Sequence, residues 1–233
     1  MKKIGVLIFA AALVGGVVVA NLFSFGHYGG RFMKFSMDFG GVRGSGNVTK
    51  ETRALSGFKS IETGGVFQIE VVAQKDFSVE VEADDNILPL INTEVNDGVL
   101  RISSERHIKS TGPIRVRISA PDIEKLDISG AASATLSNVK NSSLDIQSSG
   151  ASKINVSGET AKLTIDVSGA TKINADELKA EDAVIESSGA SYISVNVSGD
   201  LRSDVSGASK VYYSGSPKNV ITKKSGVSCV SRR

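Results

Sequence analysis

Two histidines, one cysteine and a recurring set of acidic residues are the chemistry-bearing groups of this 233-residue chain. Histidine is the usual proton-transfer residue near neutral pH. His27 borders a long apolar run, and His107 sits in the polar stretch SERHIKSTG, which reads as a loop. Serines and acids are abundant enough to complete a Ser-His-acid triad through His107, but no Gly-x-Ser-x-Gly elbow accompanies it. A solvated or structural histidine is the preferred reading. The lone Cys229, in the polar context KSGVSCVSRR, excludes an internal disulfide framework and any multi-cysteine metal site. It reads as a free thiol, with an intermolecular disulfide open to it in an oxidising compartment. No nicotinamide or P-loop glycine fingerprint follows a strand and opens a helix.

Acidic and basic residues recur at fixed offsets from a set of glycines. Three residues before each glycine stand Asp127, Gln147, Asp166, Glu186 and Asp204; three after stand Ser133, Lys153, Lys172, Tyr192 and Lys210. A stacked acidic column is the kind of feature that binds Ca²⁺ or lines the cleft of a polysaccharide-cleaving enzyme, but Ca²⁺ needs about six to eight converging oxygens. Gln147 interrupts the column, and a solvated face in which basic residues offset acidic repulsion is the simpler reading. No catalytic, cofactor-binding or metal residue is assigned. Among aromatic residues that could form a sugar platform, only Tyr192, Tyr212 and Tyr213 fall in this region. Tyr213 occupies an apolar column, so packing or capping is preferred for Tyr212 and Tyr213.

What positions these residues is a repeat. Ser-Gly-Ala occurs at Ser129–Ala131, Ser149–Ala151, Ser168–Ala170, Ser188–Ala190 and Ser206–Ala208, with glycine-to-glycine steps of 20, 19, 20 and 18. Four residues before the glycine stand Leu126, Ile146, Ile165, Ile185 and Ser203; four after stand Ala134, Ile154, Ile173, Ile193 and Val211. Apolar residues two apart with polar ones between mark strands with one buried face. Such a unit cannot bury its apolar face alone, so units must stack. A period near 19 is too short for βαβ units of about 30 residues or propeller blades of about 40–45. It fits one coil of a parallel β-helix, with glycine at stacked corners where side chains have no room. A degenerate copy lies upstream in SIETGGVFQIEV. Between it and the array run FSVEVEA, VLRIS and IRVRISA. Asn96-Asp97-Gly98 signals a hairpin turn, and Asp84–Ile91 a short helix or irregular excursion limited by Pro89.

These features predict an all-β chain: a parallel β-helix-like solenoid over 121–218, merging with an irregular β half over 51–120. Residues 219–233 read as a basic tail and 26–50 as a linker with seven glycines. Before that, Lys2-Lys3 precede 22 uncharged residues, Ile4–Phe25. This length suits a membrane-spanning signal-anchor helix, although cleavage after Ala20 as a signal peptide is chemically acceptable. Either way Lys2 and Lys3 stay cytoplasmic and the remainder is exported. Residues 51–218 hold 17 Lys/Arg against 24 Asp/Glu, a net −7, whereas the flanks carry +9. An acidic body argues against phosphate-backbone binding, so nucleic acid is not an expected partner. The basic flanks suit an anionic membrane surface or solvated tails.

The pattern resembles the head GIN domain family of auto-transporter adhesins, bacterial envelope proteins. The residues that carry the resemblance are Gly44-Ser45-Gly46-Asn47, the stretch Arg53–Ile61, Val79–Ala83 leading to Asp84-Asp85-Asn86, Asn92–Val95 with Asp97-Gly98, and the Ser-Gly-Ala array. The resemblance spans roughly 44–226. It implies a right-handed parallel β-helix-like fold outside the inner membrane, and it offers no catalytic residues to carry over. Many members resemble lipoproteins; this chain lacks a cysteine in or just after the apolar run. The expected function is therefore a non-enzymatic cell-envelope module with an adhesin-like binding or structural role. A polysaccharide-active enzyme using the acidic column, or an envelope-stress signalling domain, are the alternatives. Expected partners are an envelope polysaccharide or protein, the membrane through the N-terminal helix, and a second copy through the solenoid end. The destination is the inner membrane facing the periplasm, or the periplasm or cell surface after cleavage.

Overall fold

The computed structural model describes residues 41–233. The expected membrane helix or signal peptide, 1–25, and residues 26–40 lie outside the described residues. Among the described residues, no helix is long and apolar enough to cross a membrane.

The described chain is all-β. Strands β1 (Val42–Arg43) and β2 (Val48–Arg53) lead in, and β3 (Ser60–Gly65) and β4 (Gln68–Ala73) form the first stacked coil. Then come β5 (Ser78–Asp84), a single 3-10 turn at Leu88–Leu90, β6 (Ile91–Asn96), β7 (Val99–Ser104), β8 (Ile108–Lys109), β9 (Arg115–Ala120) and β10 (Lys125–Gly130). The array follows as β11 (Ser133–Gly150), β12 (Lys153–Gly169), β13 (Lys172–Gly189), β14 (Tyr192–Val197), β15 (Asp200–Gly207), β16 (Lys210–Gly215), β17 (Asn219–Lys224) and β18 (Cys229–Arg232).

Parallel pairing stacks these pieces into two ladders that meet at the Ser-Gly-Ala corners. One ladder runs β7, β3, β10, then the C-terminal halves of β11, β12 and β13, then β15 and β17. The other runs β9, β4, the N-terminal halves of β11, β12 and β13, then β14, β16 and β18. Leu126, Ile146, Ile165 and Ile185 are in register and wholly buried, as the apolar columns predict. Each such side chain contributes about 1.5–3 kcal/mol of burial energy.

The corner glycines are required twice over. Gly150 has φ +127, a conformation L side chains avoid, and a Cβ there would collide with the carbonyl oxygen of Gly130 in the coil beneath. The Ala151 amide instead donates to that oxygen at 2.9 Å. Serine hydroxyls before two corner glycines donate to the coil beneath, Ser129 to Thr63 O at 3.0 Å and Ser206 to Ser187 O at 3.3 Å.

The irregular half is the closure of the stack at its first end. After β4 the chain leaves the stack, and β7 and β9 return beneath β3 and β4 as an earlier layer made from later sequence. Antiparallel strands finish both ladders: β6 on β7, and β5 then β2 on β9. The β6–β7 turn has Asp97 at φ +51 and Gly98 at φ +75, the left-handed pair a tight hairpin needs.

Two boundaries are corrected. Val48–Lys50, expected in the linker, begin β2, because their backbone pairs with Glu82–Asp84 of β5. Residues 219–233, expected as a tail, form β17 and β18 and add another layer. The reason is a further corner: Gly226, at φ +70, stacks on Gly207, and Val227 donates to Gly207 O at 2.8 Å.

Candidate binding surfaces

The acidic column lies on the outer face of the first ladder. Asp127, Gln147, Asp166, Glu186 and Asp204 occupy one register, which Glu62 extends below and which ends in Arg101 on one side and Lys223 on the other. Arg101 pairs with Glu62 at 3.1 Å. Burial is the main influence raising the Asp127 carboxyl above its ordinary value; Lys125 opposes it, and Glu62 and Asp145 add to it. Side chains in one column project side by side and do not converge. Among the described residues, no group of three His, Cys, Asp or Glu is placed to hold a metal ion.

The basic positions Lys153, Lys172 and Lys210 share a register with Ser133 and Tyr192 on the other ladder. The two charged columns therefore lie on opposite sides of the corner, on different ladders, and do not form the single charge-balanced face expected from their offsets. Beside the basic column, Asn155 and Asn174 are in register, followed by Ser194 and Tyr212. The Tyr192 and Tyr212 rings lie 5.3 Å apart, tilted by 38°. Lys172 Nζ sits 5.3 Å from the Tyr192 ring centroid, and the Arg233 guanidinium 5.7 Å from that of Tyr212. Arg233 also donates to the Tyr192 hydroxyl and to Asp176, each at 2.7 Å. Tyr213 packs partly buried against the core, as its apolar column predicts.

His107 stands in the loop between β7 and β9. Its backbone oxygen accepts the Val42 amide at 3.0 Å, so it pins β1. The ring lines a cavity of about 300 Å³ with Phe67, Ile108, Pro113 and Ile114. Cys229 is exposed and free on β18.

Two polar clusters were not legible as such in the sequence. On the outer side of β2, β5 and β9, Glu82 meets Arg115 at 2.8 Å, Arg117 at 2.9 Å and Lys50 at 3.4 Å, while Glu80 meets Arg117 at 2.8 Å. Hydrogen bonds from Arg117, then Arg115, outweigh burial and hold the Glu82 carboxyl down to about 2. The alternations EVE and RVR signalled strands with charged outer faces, but not that the two would pair. An open depression of about 690 Å³ adjoins this network, lined by Gln74–Ser78, Ser119 and Pro121.

The second cluster gathers around one buried acid, Asp84. Asp84 accepts hydrogen bonds from the Gly46 amide at 3.2 Å, the Ser110 hydroxyl at 3.2 Å, and both the amide and hydroxyl of Thr111. Asn86 donates to Arg43 O at 2.8 Å and accepts the Ser45 amide at 2.9 Å. The segments Gly44–Asn47 and Asp84–Asn86, far apart in sequence, are thus mutual partners. Burial pushes the Asp84 carboxyl up, but the bonds from Thr111, Ser110 and Gly46 outweigh it and leave it below its ordinary value.

A profile of the family described as "Putative auto-transporter adhesin, head GIN domain" matches residues 57–217, from the first coil into β16 and beyond. The chain belongs to this family. Solved structures share the fold. A "putative adhesin" from Bacteroides fragilis is 19% identical with a TM-score of 0.68, covering 83% of this chain and 100% of its own. A "putative lipid binding protein" from Parabacteroides distasonis is 17% identical with a TM-score of 0.51, covering 82% and 99%. A "putative adhesin" from Parabacteroides merdae is 18% identical with a TM-score of 0.50, covering 82% and 98%. No curated protein matches the sequence. Residues 40–233 form one compact unit that holds the whole hydrophobic core of the described residues.

Proposed function

We propose that the head GIN domain of this chain is a non-enzymatic binding module of the cell envelope, a right-handed solenoid that presents its outer ladders to an extended polysaccharide or protein ligand. Family membership supports an exported, adhesin-like role. The sequence before Gly26 supports attachment at the inner membrane facing the periplasm, or release to the periplasm or surface after cleavage.

One observation carries the binding reading. Lys153, Lys172, Tyr192 and Lys210 form an outward column with one member per coil, and Asn155, Asn174 and Tyr212 lie on the column beside it. A row of donors, cations and aromatic faces at strand spacing, about 4.8 Å per rung, suits a long, repeating ligand more than a compact one. Binding would be spread along several coils, each contributing weakly.

The test is a pull-down of residues 40–233 against envelope polysaccharides, whole cells and envelope proteins, with Lys172→Ala/Tyr192→Ala/Tyr212→Ala as the comparison. Retention by at least one class, clearly weakened in the triple variant, is expected, because the variant removes one cation and both aromatic faces from the surface. Failure of the wild-type fragment to bind any of them would remove the proposal. Turnover of a polysaccharide abolished by Asp166→Asn would replace it with the enzymatic reading.

A further inference from the structure

The final layer of the stack, residues 219–232, differs in chemistry from every layer beneath it. From Val205 to Arg233 the chain has six Lys/Arg and no Asp or Glu. Lys218, Lys223, Lys224 and Arg232 are exposed. Lys223 ends the acidic column at Asp204. Lys224 is in register with the buried Val205, and Arg232 with Tyr213, so two cations occupy columns that face inward in the layers below. Exposed apolar side chains accompany them: Val220 at 42%, Ile221 at 54% and Val227 at 85%.

Cations in the inward columns oppose the stacking of another apolar coil, which argues against a second copy of the chain as the occupant. A cationic end that also exposes valine and isoleucine matches a surface that is anionic and apolar a few ångströms deeper. We propose that this last layer is a docking face for an anionic lipid membrane, with Lys218, Lys223, Lys224 and Arg232 meeting headgroups and Ile221 and Val227 reaching the interface. The proposal is independent of the binding role assigned to the outer row of Lys153 to Tyr212.

The experiment is vesicle flotation of residues 40–233 with phosphatidylcholine alone or phosphatidylcholine mixed with phosphatidylglycerol. Binding to the anionic vesicles alone, weakening with salt, is expected. Each of Lys218→Gln, Lys223→Gln, Lys224→Gln and Arg232→Gln should weaken it roughly fivefold, and Ile221→Ser/Val227→Ser should also lower it. Lys140→Gln/Lys162→Gln, elsewhere on the solenoid and outside the row of Lys153 to Tyr212, should leave it unchanged. All substituted side chains are exposed, and circular dichroism checks that each variant is folded. Equal binding to neutral vesicles, an equal loss in the Lys140/Lys162 variant, or binding to soluble polyglutamate but not to vesicles would overturn the proposal. So would concentration-dependent self-association abolished by the same terminal substitutions.

Discussion

The Thr111 hydroxyl lies within hydrogen-bonding distance of both oxygens of the Asp84 carboxylate, at 3.1 and 3.0 Å, joining the end of β5 to the loop before β9. Gly46 donates to the same carboxylate, so one buried acid ties the lead-in segment to the closing layers. Two of the segments that carry the family resemblance, Gly44–Asn47 and Asp84–Asn86, are held together by this group and its neighbour Asn86.

Removing the acid should release the lead-in. Asp84→Ala is expected to speed proteolytic cleavage and amide exchange across Gly44–Asn47 many-fold, while the array from Lys125 onward keeps its protection. Thr111→Val should do the same more weakly, since the Thr111 amide still donates. Limited proteolysis with mass spectrometry separates the two regions; uniform loss of protection would contradict the role given to Asp84.

Acid should loosen the closing layers first. The Glu82 carboxyl is held near 2 in the folded protein, below the ordinary 4.5. A depressed pKa means that the unfolded chain binds its proton first as pH falls. The stabilisation is therefore complete above about 4.5 and is lost as pH drops toward 2. Glu82→Gln should lower stability at pH 7 and flatten its pH dependence across that window, as read by urea midpoints at a series of pH values.

The positive-φ glycines differ in what they tolerate. Gly150→Ala combines a positive φ with a collision against Gly130 O, so a loss of about 4 kcal/mol or more is expected. Gly46→Ala has positive φ but open space around the added methyl, and should cost only about 1–2 kcal/mol. Denaturant unfolding of the two variants distinguishes stacking from backbone strain.

Beneath the corners, the inward residues alternate: Ile128, Ser148, Val167, Ser187, Val205. Each buried serine joins a triad spanning two coils. Ser148 meets Ser152 at 2.6 Å and Thr171 at 3.0 Å, and Ser187 meets Ser191 and Ser209. Ser148→Ala and Thr171→Val should each cost about 1 kcal/mol, because hydroxyls are left with fewer partners. The triple replacement Ser148→Ala/Ser152→Ala/Thr171→Val should cost clearly less than the sum of the singles, since no hydroxyl remains unpaired. Additive losses in thermal unfolding would show that the triad does not act as a unit.

Every array coil faces the same local problem, and that is why its solution was readable in the residues. Glycine at a crowded corner, apolar residues two apart on either side and a step near 19 recur because each layer must bury the same face and turn the same bend. The Asn96–Gly98 hairpin was readable for a similar reason: the positive φ values it needs are a property of the turn itself. Ser225-Gly226, 19 residues beyond Gly207, carried the same signal for the last layer, but Lys224 and Arg232 broke the apolar columns around it. The order of the layers was a different matter. That β7 and β9 lie beneath β3 and β4, that Glu82 meets Arg115 and Arg117, and that the acidic and basic columns part company at the corner all depend on which strand edges find each other across long stretches of chain. Pairing between distant edges is decided by the packing of the whole stack, and no local spacing encodes it.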